Sequence, residues 1–239
     1  MTAVQLAPGV WRVPVTRYDL VNTFLLEAPD GSLTLVDAGL KRSTTKVLAA
    51  LAGLGRAPQD VTSLLLSHAH SDHAGGAATA QAATSTAGTA SSVWAHDREA
   101  VYLREGRPPA FDRTRRTGRL LSRLPSGGFA PVDVDETFAD GAVLPLAGGL
   151  QVVHTPGHTP GHCSFLHPST GVLLTGDALF NLRRIRYSFA GPCTDVGLSR
   201  SSADRLGELD FEVAAFTHGP QISTGAPQAV RAFLAGRRS

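Results

Sequence analysis

Long apolar runs are missing from the 239-residue sequence. No stretch of about 18 apolar residues occurs, so no transmembrane helix is expected. Cysteine is nearly absent, with Cys163 and Cys193 as the only two. Two cysteines make no disulfide framework, and a reducing cytoplasm is the expected location. The opening MTAVQLAPGVWRVPV has neither the basic start nor the continuous apolar segment of a secretory signal, which agrees with that expectation. An excess of one charge is also lacking. The net charge is +2, and the balance alone points to neither nucleic acid nor a membrane surface. Lysine is scarce, 2 against 20 arginines. With alanine and glycine abundant, that ratio reads as the mark of a GC-rich genome and not as a nucleic-acid signal.

What is present describes an ordinary globular chain. Hydrophobic residues make up 42% and charged residues 18%, enough for a sizeable core. Residues 1–239 are read as a single domain. Apolar runs with turn residues between them predict strands over Gly9–Val15, Thr23–Glu27 and Leu33–Val36, with Asp30-Gly31 as a hairpin turn. Further strands are expected at Ser63–Leu66, Ser92–Ala95, Gly149–His154, Cys163–Leu166, Val172–Leu174 and Val213–Phe216. Helical spacing or composition marks Ser43–Leu54, Gly76–Ala87, Ser199–Leu209 and Pro227–Ala235. Strands outnumber helices, and the helices fall between groups of strands. That pattern predicts an α/β fold of two sheets with helices outside.

Residues 100–128 break the rhythm. From Arg98 to Arg123 there are eight arginines and three acids, with Pro108-Pro109 and Gly127-Gly128 as punctuation. The segment reads as an inserted lid with a short helix over Phe111–Leu124, or alternatively as a solvated surface excursion. Its arginines, and a second group at Arg183, Arg184 and Arg186, are candidates for binding an anionic part of a substrate.

The chemistry is concentrated in LSHAHSDHAGG, residues 66–76. Three of the nine histidines and an aspartate share six residues there. Buried without partners they would cost several kcal/mol, roughly, each; as metal ligands they have a use. Imidazole and carboxylate together suit zinc, iron or manganese. Two-residue spacing turns His68 and His70 the same way along an extended backbone. Four ligands so close crowd one tetrahedral ion, and two adjacent ions are the natural solution. Later apolar runs also end in a polar residue near glycine, offering His158, Asp177 and His218, and an earlier one offers Asp37. Strand ends converging on one edge of a sheet is how α/β folds build sites.

The motifs VDAG (36–39), HAHSDH (68–73), TPGHTPGH (155–162), TGDA (175–178) and THG (217–219) resemble, in order and spacing, those of the metallo-β-lactamase-fold superfamily. The likeness runs from about Gly9 to Pro220 and is closest to the glyoxalase II and lactonase branch. It implies a four-layer αββα sandwich carrying the arginine-rich insertion. It also implies two divalent metal ions, zinc before iron or manganese, and hydrolysis of an ester, lactone, thioester or related bond by a metal-bridging hydroxide. Carried over by position, His68, His70 and His158 would hold one ion and Asp72, His73 and His218 the other, with Asp177 bridging. The catalytic carboxylates would be Asp72, orienting the nucleophile or moving a proton, and Asp37, orienting ligands through hydrogen bonds. The expected partner is a small molecule, anionic if the arginines take part. Neither nucleic acid nor a membrane is expected, and a homo-oligomer is compatible.

Departures from individual branches narrow the reading. Only 21 residues follow His218, so the glutathione-binding helical segment of glyoxalase II is not expected. Phe180 stands where homoserine lactone lactonases carry a tyrosine, three residues after the bridging aspartate. True β-lactamases generally lack the aspartate found here as Asp72. Two other classes remain alternatives: an iron persulfide dioxygenase using His68, His158 and Asp177, and a non-catalytic metal-binding protein. Outside the ligand set, His154 and Cys163 read as core, His162 as packing beneath His158, His96 and His167 as surface residues, and Cys193 as an inert thiol.

Overall fold

The computed structural model describes residues 2–85, 90–123 and 127–236. Seven strands form the first sheet in sequence order: β1 (Val4–Ala7), β2 (Val10–Pro14), β3 (Asn22–Glu27), β4 (Leu33–Val36), β5 (Val61–Leu66), β6 (Ser92–His96) and β7 (Glu136–Phe138). The first four are joined antiparallel, and β4 to β7 run parallel. The second sheet contains β8 (Val143–Leu144), β9 (Leu150–His154), β10 (Cys163–His167) and β11 (Val172–Leu174). A separate two-stranded ribbon, β12 (Leu179–Asn181) and β13 (Ile185–Tyr187), follows. The edge strand β14 (Val213–Ala215) then returns to the second sheet, parallel to β11.

Among the described residues six α-helices accompany the strands: α1 (Thr44–Gly53), α2 (Ala77–Thr84), α3 (Ala100–Glu105), α4 (Arg116–Leu121), α5 (Val196–Ala203) and α6 (Ala226–Ala235). Three apolar clusters divide the layers. Leu33, Leu35, Leu64 and Leu66 pack with Val47, Leu51 and Ala77 of α1 and α2. Phe24, Val36 and Leu65 meet Val152, Phe165 and Leu174 between the sheets. Leu173 and Ala214 on the far side of the second sheet pack with Val230 and Leu234 of α6. Successive residues of a strand face opposite sides, so β4, β5 and β11 feed two clusters each and read as near-continuous apolar runs, interrupted by Thr34 in β4 and by Thr62 and Ser63 in β5. The order helix, sheet, sheet, helix is the αββα arrangement.

The expected helices at Ser43–Leu54 and Pro227–Ala235 match α1 and α6 within a residue or two. The helix expected over Gly76–Ala87 is α2, with Thr86 and Ala87 outside the described residues. The one expected over Ser199–Leu209 starts earlier, capped by Asp195, whose side chain accepts from the Leu198 N–H, and ends in a 3-10 turn over Asp204–Glu208. Strands β1, β7, β8, β12 and β13 have no counterpart among the sequence expectations. Each is short, two to four residues, and is a strand only because a neighbour supplies its hydrogen bonds. In the insertion, Phe111–Leu124 is helical only over α4, Leu124 lies outside the described residues, and α3 is an additional helix.

Candidate metal centre

Each candidate ligand lies at or just beyond a strand end, where the backbone leaves the sheet. His68, His70, Asp72 and His73 occupy the turn after β5. It can be this tight because glycines follow: a Cβ on Gly75 would lie 2.0 Å from the Ser71 carbonyl oxygen, and one on Gly76 2.4 Å from that of Ala38. His158 follows β9, Asp177 follows β11 and His218 follows β14.

The fold brings all seven together. His68 Nε2 lies 3.1 Å from His70 Nδ1, which lies 2.9 Å from His158 Nε2. Asp177 stands between two groups: Oδ2 is 3.1 Å from His158 Nε2, while Oδ1 is 3.1 Å from His73 Nε2 and 3.2 Å from His218 Nε2. Asp72 Oδ2 lies 3.5 Å from His218 Nε2. Ligand nitrogens about 2.0–2.1 Å from a tetrahedral zinc are themselves roughly 3.3 Å apart, so the first trio has the span such an ion requires. The ligand atoms of His68, His70 and His158, and those of Asp72, His73 and His218, each fall within 4.8 Å of one another. His73 Nε2 and Asp177 Oδ1 are buried, make no hydrogen bond of good geometry, and meet as an ion-pair contact at 3.1 Å. Buried polar groups so thinly satisfied are costly. The donor set therefore fits divalent metal.

Hydrogen bonds behind the ligands fix which nitrogen faces inward. Asp37 Oδ2 accepts from His73 Nδ1 at 2.7 Å and from the Ser67 hydroxyl at 2.8 Å, and Oδ1 accepts from the Ser67 N–H at 2.8 Å. The Ser67 hydroxyl oxygen in turn lies 3.0 Å from His68 Nδ1. Both rings thus present Nε2 to the cluster. Asp37, one of the two carboxylates expected to be catalytic, is buried behind His73 and does not line the cavity. His162 Nε2 accepts the Asp177 backbone N–H at 2.8 Å, and its Nδ1 is 2.9 Å from the Thr155 hydroxyl. It therefore orients Asp177 as well as packing near His158, their ring centroids 5.7 Å apart.

The electrostatics follow from burial and from Asp177. Burial, reinforced by neighbouring imidazoles, holds His68 and His70 well below the usual histidine range. Burial, then His158, drives His162 down to about 3. Burial opposes protonation of His158 as well, but the Asp177 carboxylate outweighs it and lifts His158 to about 9. His73 and His218 are raised against burial in the same way, with Asp177 the leading cause. Burial would raise Asp177 itself, yet His218, His73 and His158 hold it well below the carboxylate range. Without metal, Asp177 favours protons on His73, His158 and His218, the nitrogens that a divalent cation would take in its place, since ligation requires neutral imidazole.

Three supporting residues escaped sequence reasoning. Glu99 is fully buried; Oε2 accepts from the Ala69 N–H at 2.8 Å and Oε1 from the Gly161 N–H at 2.6 Å. It ties the loop of His68 and His70 to the loop of His158, and burial raises its carboxyl above the usual range. Its only sequence mark is its place among three acids in an arginine-rich stretch. Asn22, at the start of β3, donates through Nδ2 to the Gly219 carbonyl at 2.9 Å, and its backbone N–H donates to the Thr217 carbonyl, also at 2.9 Å. Those bonds hold the loop that carries His218. Ser67 precedes the motif and carries no signal of its own. Two surface expectations also fail. His96 is buried and stacks on His154 with centroids 4.3 Å apart, and His167 is buried with Nε2 2.7 Å from the Ala147 carbonyl oxygen. Both end strands that a neighbouring loop covers. Cys163 is core, as expected, whereas Cys193 lies beside the site, its Sγ 3.6 Å from His158 Nδ1.

A cavity of about 320 Å³ opens over the ligands, lined by His70, Asp72, His158, Asp177 and His218 and walled by Pro108, Phe111, Phe180, Phe189 and Pro192. Pro108 and Phe111 come from the insertion, so this segment does cover the site. None of its arginines lines the cavity. Arg104, Arg107 and Arg119 are engaged with Asp133, Glu105 and the Arg113 carbonyl. No helix among the described residues is long and apolar enough to cross a membrane.

Comparisons with known proteins agree with this architecture. Residues 16–218 match the profile of the Metallo-beta-lactamase superfamily. The hydroxyacylglutathione hydrolase GloC of Haemophilus influenzae is 33% identical over 120 residues, 49% of either chain. An N-acyl homoserine lactonase of a Bacillus species is 28% identical over 212 residues, 78% of this chain and 74% of the lactonase. Among solved structures, a metallo-beta-lactamase family protein from Thermus thermophilus superposes with a TM-score of 0.74 at 28% identity, covering 98% of this chain and 81% of that one. An αββα sandwich with a histidine-rich centre at the strand ends and a profile match across most of the sequence lead to one conclusion: the chain belongs to the metallo-beta-lactamase superfamily.

Proposed function

We propose that the protein is a hydrolase of small-molecule esters, lactones or thioesters that works with two zinc ions. The observation that carries this reading is the placement of Asp177, one oxygen toward His158 and the other toward His73 and His218. His68, His70 and His158 would hold one ion and Asp72, His73 and His218 the other, with Asp177 placed to serve both. Zinc ions there would supply a nucleophile derived from water at neutral pH and polarise the scissile carbonyl. The remaining work falls to the chain. Asp37 and Ser67 keep His73 and His68 in the ligating tautomer. Asp72 lines the cavity with its carboxylate partly open to solvent, in position to orient water and carry a proton away. Phe111, Phe180 and Phe189 exclude water and give an apolar surface to the group beside the reacting carbonyl. Phe180 stacks edge-on at 4.4 Å from His218, so no phenol stands at that place to assist a leaving oxygen. That favours open-chain esters and thioesters over homoserine lactones.

The test is metal analysis of protein purified without added metal, beside a panel of esters, lactones and thioesters. Two zinc ions per chain and turnover of an ester or thioester are expected; one iron per chain and persulfide-dependent oxygen uptake would replace this reading with a dioxygenase. Asp177→Ala should lower both metal content and kcat/KM, the latter by more than about 100-fold, beyond the usual effect of an outer residue. Unchanged metal content in that variant would count against the shared position of Asp177.

A further inference from the structure

A second depression adjoins the metal centre. It is a groove of about 850 Å³ lined by Tyr18, Leu20, Asn181, Leu182, Gly219 and Pro220 together with Arg183, Arg184 and Arg186. It is lined by chain neighbours of residues that line the cavity over the candidate ligands. Phe180 faces the cavity and Asn181, next along β12, lines the groove. His218 lines one and Gly219 the other. The arginines sit on the turn and second strand of the β12–β13 ribbon, with Arg186 paired in register with Phe180. The Arg186 guanidinium lies 5.8 Å from the centroid of Phe189, whose ring is 5.6 Å from that of Phe180. Two aromatic rings therefore separate the groove from His218.

The groove is electrically one-sided. No acidic residue lines it. Arg183 and Arg184 are exposed and have no hydrogen bond or ion pair within the described residues. Asp19, which lies between the lining residues Tyr18 and Leu20, is taken up by Arg12 at 2.9 Å. Guanidinium groups present paired N–H donors that match carboxylate and phosphate oxygens. Three of them on one concave wall, with no counter-charge, attract an anion. The insertion, although richer in arginine, contributes none of those side chains to the lining of either depression.

We propose that this groove binds a carboxylate or phosphate carried on the substrate, so that the enzyme prefers esters and thioesters with an anionic arm reaching past Phe180 and Phe189. The proposal rests on the hydrolase reading for its substrate but not for its binding. Its test uses the zinc-loaded protein and three 4-nitrophenyl esters with an arm long enough to pass both rings: the neutral decanoate, the hydrogen sebacate and the 9-phosphononanoate. Either anionic ester should exceed the decanoate in kcat/KM by about tenfold at low salt, as expected for a few exposed charge pairs. The preference should shrink as salt rises. The double variant Arg183→Gln/Arg184→Gln, at two exposed positions outside the metal centre, should remove the preference by raising KM for the anionic esters while leaving the decanoate unchanged. Which anionic ester gains more separates carboxylate from phosphate recognition. Equal turnover of charged and neutral esters, or a preference that survives the double variant, would overturn the proposal. If no ester is cleaved, the hydrolase reading fails, and the groove is judged by calorimetric titration with succinate and with methylphosphonate. Binding of either that the double variant abolishes supports the groove, and binding it leaves unchanged, or no binding to the unaltered protein, refutes it.

Discussion

At the residue scale the centre is a set of imidazoles whose protonation is set by one carboxylate. Asp177 raises His73, His158 and His218, while His68, His70 and His162 are held low by burial. A divalent ion and a proton compete for the same nitrogen. His158, lifted to about 9 from 6.5, keeps its proton at neutral pH in the metal-free protein. Metal binding must then release it. Apparent zinc affinity should rise by about tenfold per pH unit per displaced proton up to about pH 9, as read by competition with a chromophoric chelator. An affinity flat between pH 6 and 9 would deny the exchange. Asp37 acts on this set from behind. Asp37→Ala should weaken zinc binding by about 10–100-fold and leave the cavity walls as they are. An unaffected affinity would mean that packing alone orients His73.

At the element scale, the insertion contributes shape and not charge. Phe111 is half-buried over the cavity. A fully buried aromatic ring is worth about 1.5–3 kcal/mol, and half of that corresponds to roughly 4- to 13-fold in binding. Phe111→Ala should raise KM by that factor for a substrate with an apolar acyl group, with zinc content unchanged. Loss of zinc would make the segment a structural support instead. Leu103 of α3 is fully buried in the core beneath the first sheet, so excising residues 100–126 would test folding before it tested specificity. The ribbon of β12 and β13 is the second such element, with Phe180 lining the cavity and Arg183, Arg184 and Arg186 lining the groove beside it.

At the scale of the molecule, the centre lies where the two sheets meet, and it holds them together. Glu99 follows the end of β6 in the first sheet, yet it receives an N–H from Gly161, beside β10 of the second. Glu99→Ala would leave two buried N–H groups unpaired, at about 1–3 kcal/mol each. A loss of roughly 2–5 kcal/mol in urea unfolding is expected, part of it recovered in Glu99→Gln, whose amide oxygen can still accept one bond. Equal stability of Glu99→Ala and the unaltered protein would remove Glu99 from this role. Metal bound between the sheets should stabilise the whole fold. At free zinc about 1,000 times Kd the gain is about 4 kcal/mol, so chelation should lower Tm by roughly 8–16 °C for a chain of this size. An unchanged Tm after complete metal removal would mean that the ions add nothing to the stability of the fold.

The sequence by itself determined the layers and most of the candidate ligand set. Apolar runs with two buried faces in β4, β5 and β11 announce sheets covered on both sides, and His68, His70, Asp72 and His73 stand so close that local geometry alone groups them. His158, Asp177 and His218 were legible as strand-end residues because each sits in a short Gly-flanked motif. Only the tertiary structure decided what surrounds them. Glu99, Asn22 and Ser67 act through single hydrogen bonds to residues brought near by folding, and a single bond leaves no periodic trace in a sequence. The burial of His96 and His167 and the approach of Cys193 to His158 have the same origin, since a covering loop is a property of topology. The arginines show the division most clearly. Their number was plain from the start, but whether a guanidinium faces a site, a neighbouring carboxylate or water depends on the path of the backbone in three dimensions. That path leaves the larger cluster exposed and outside the cavity lining, and gathers Arg183, Arg184 and Arg186 in a groove beside the candidate ligands.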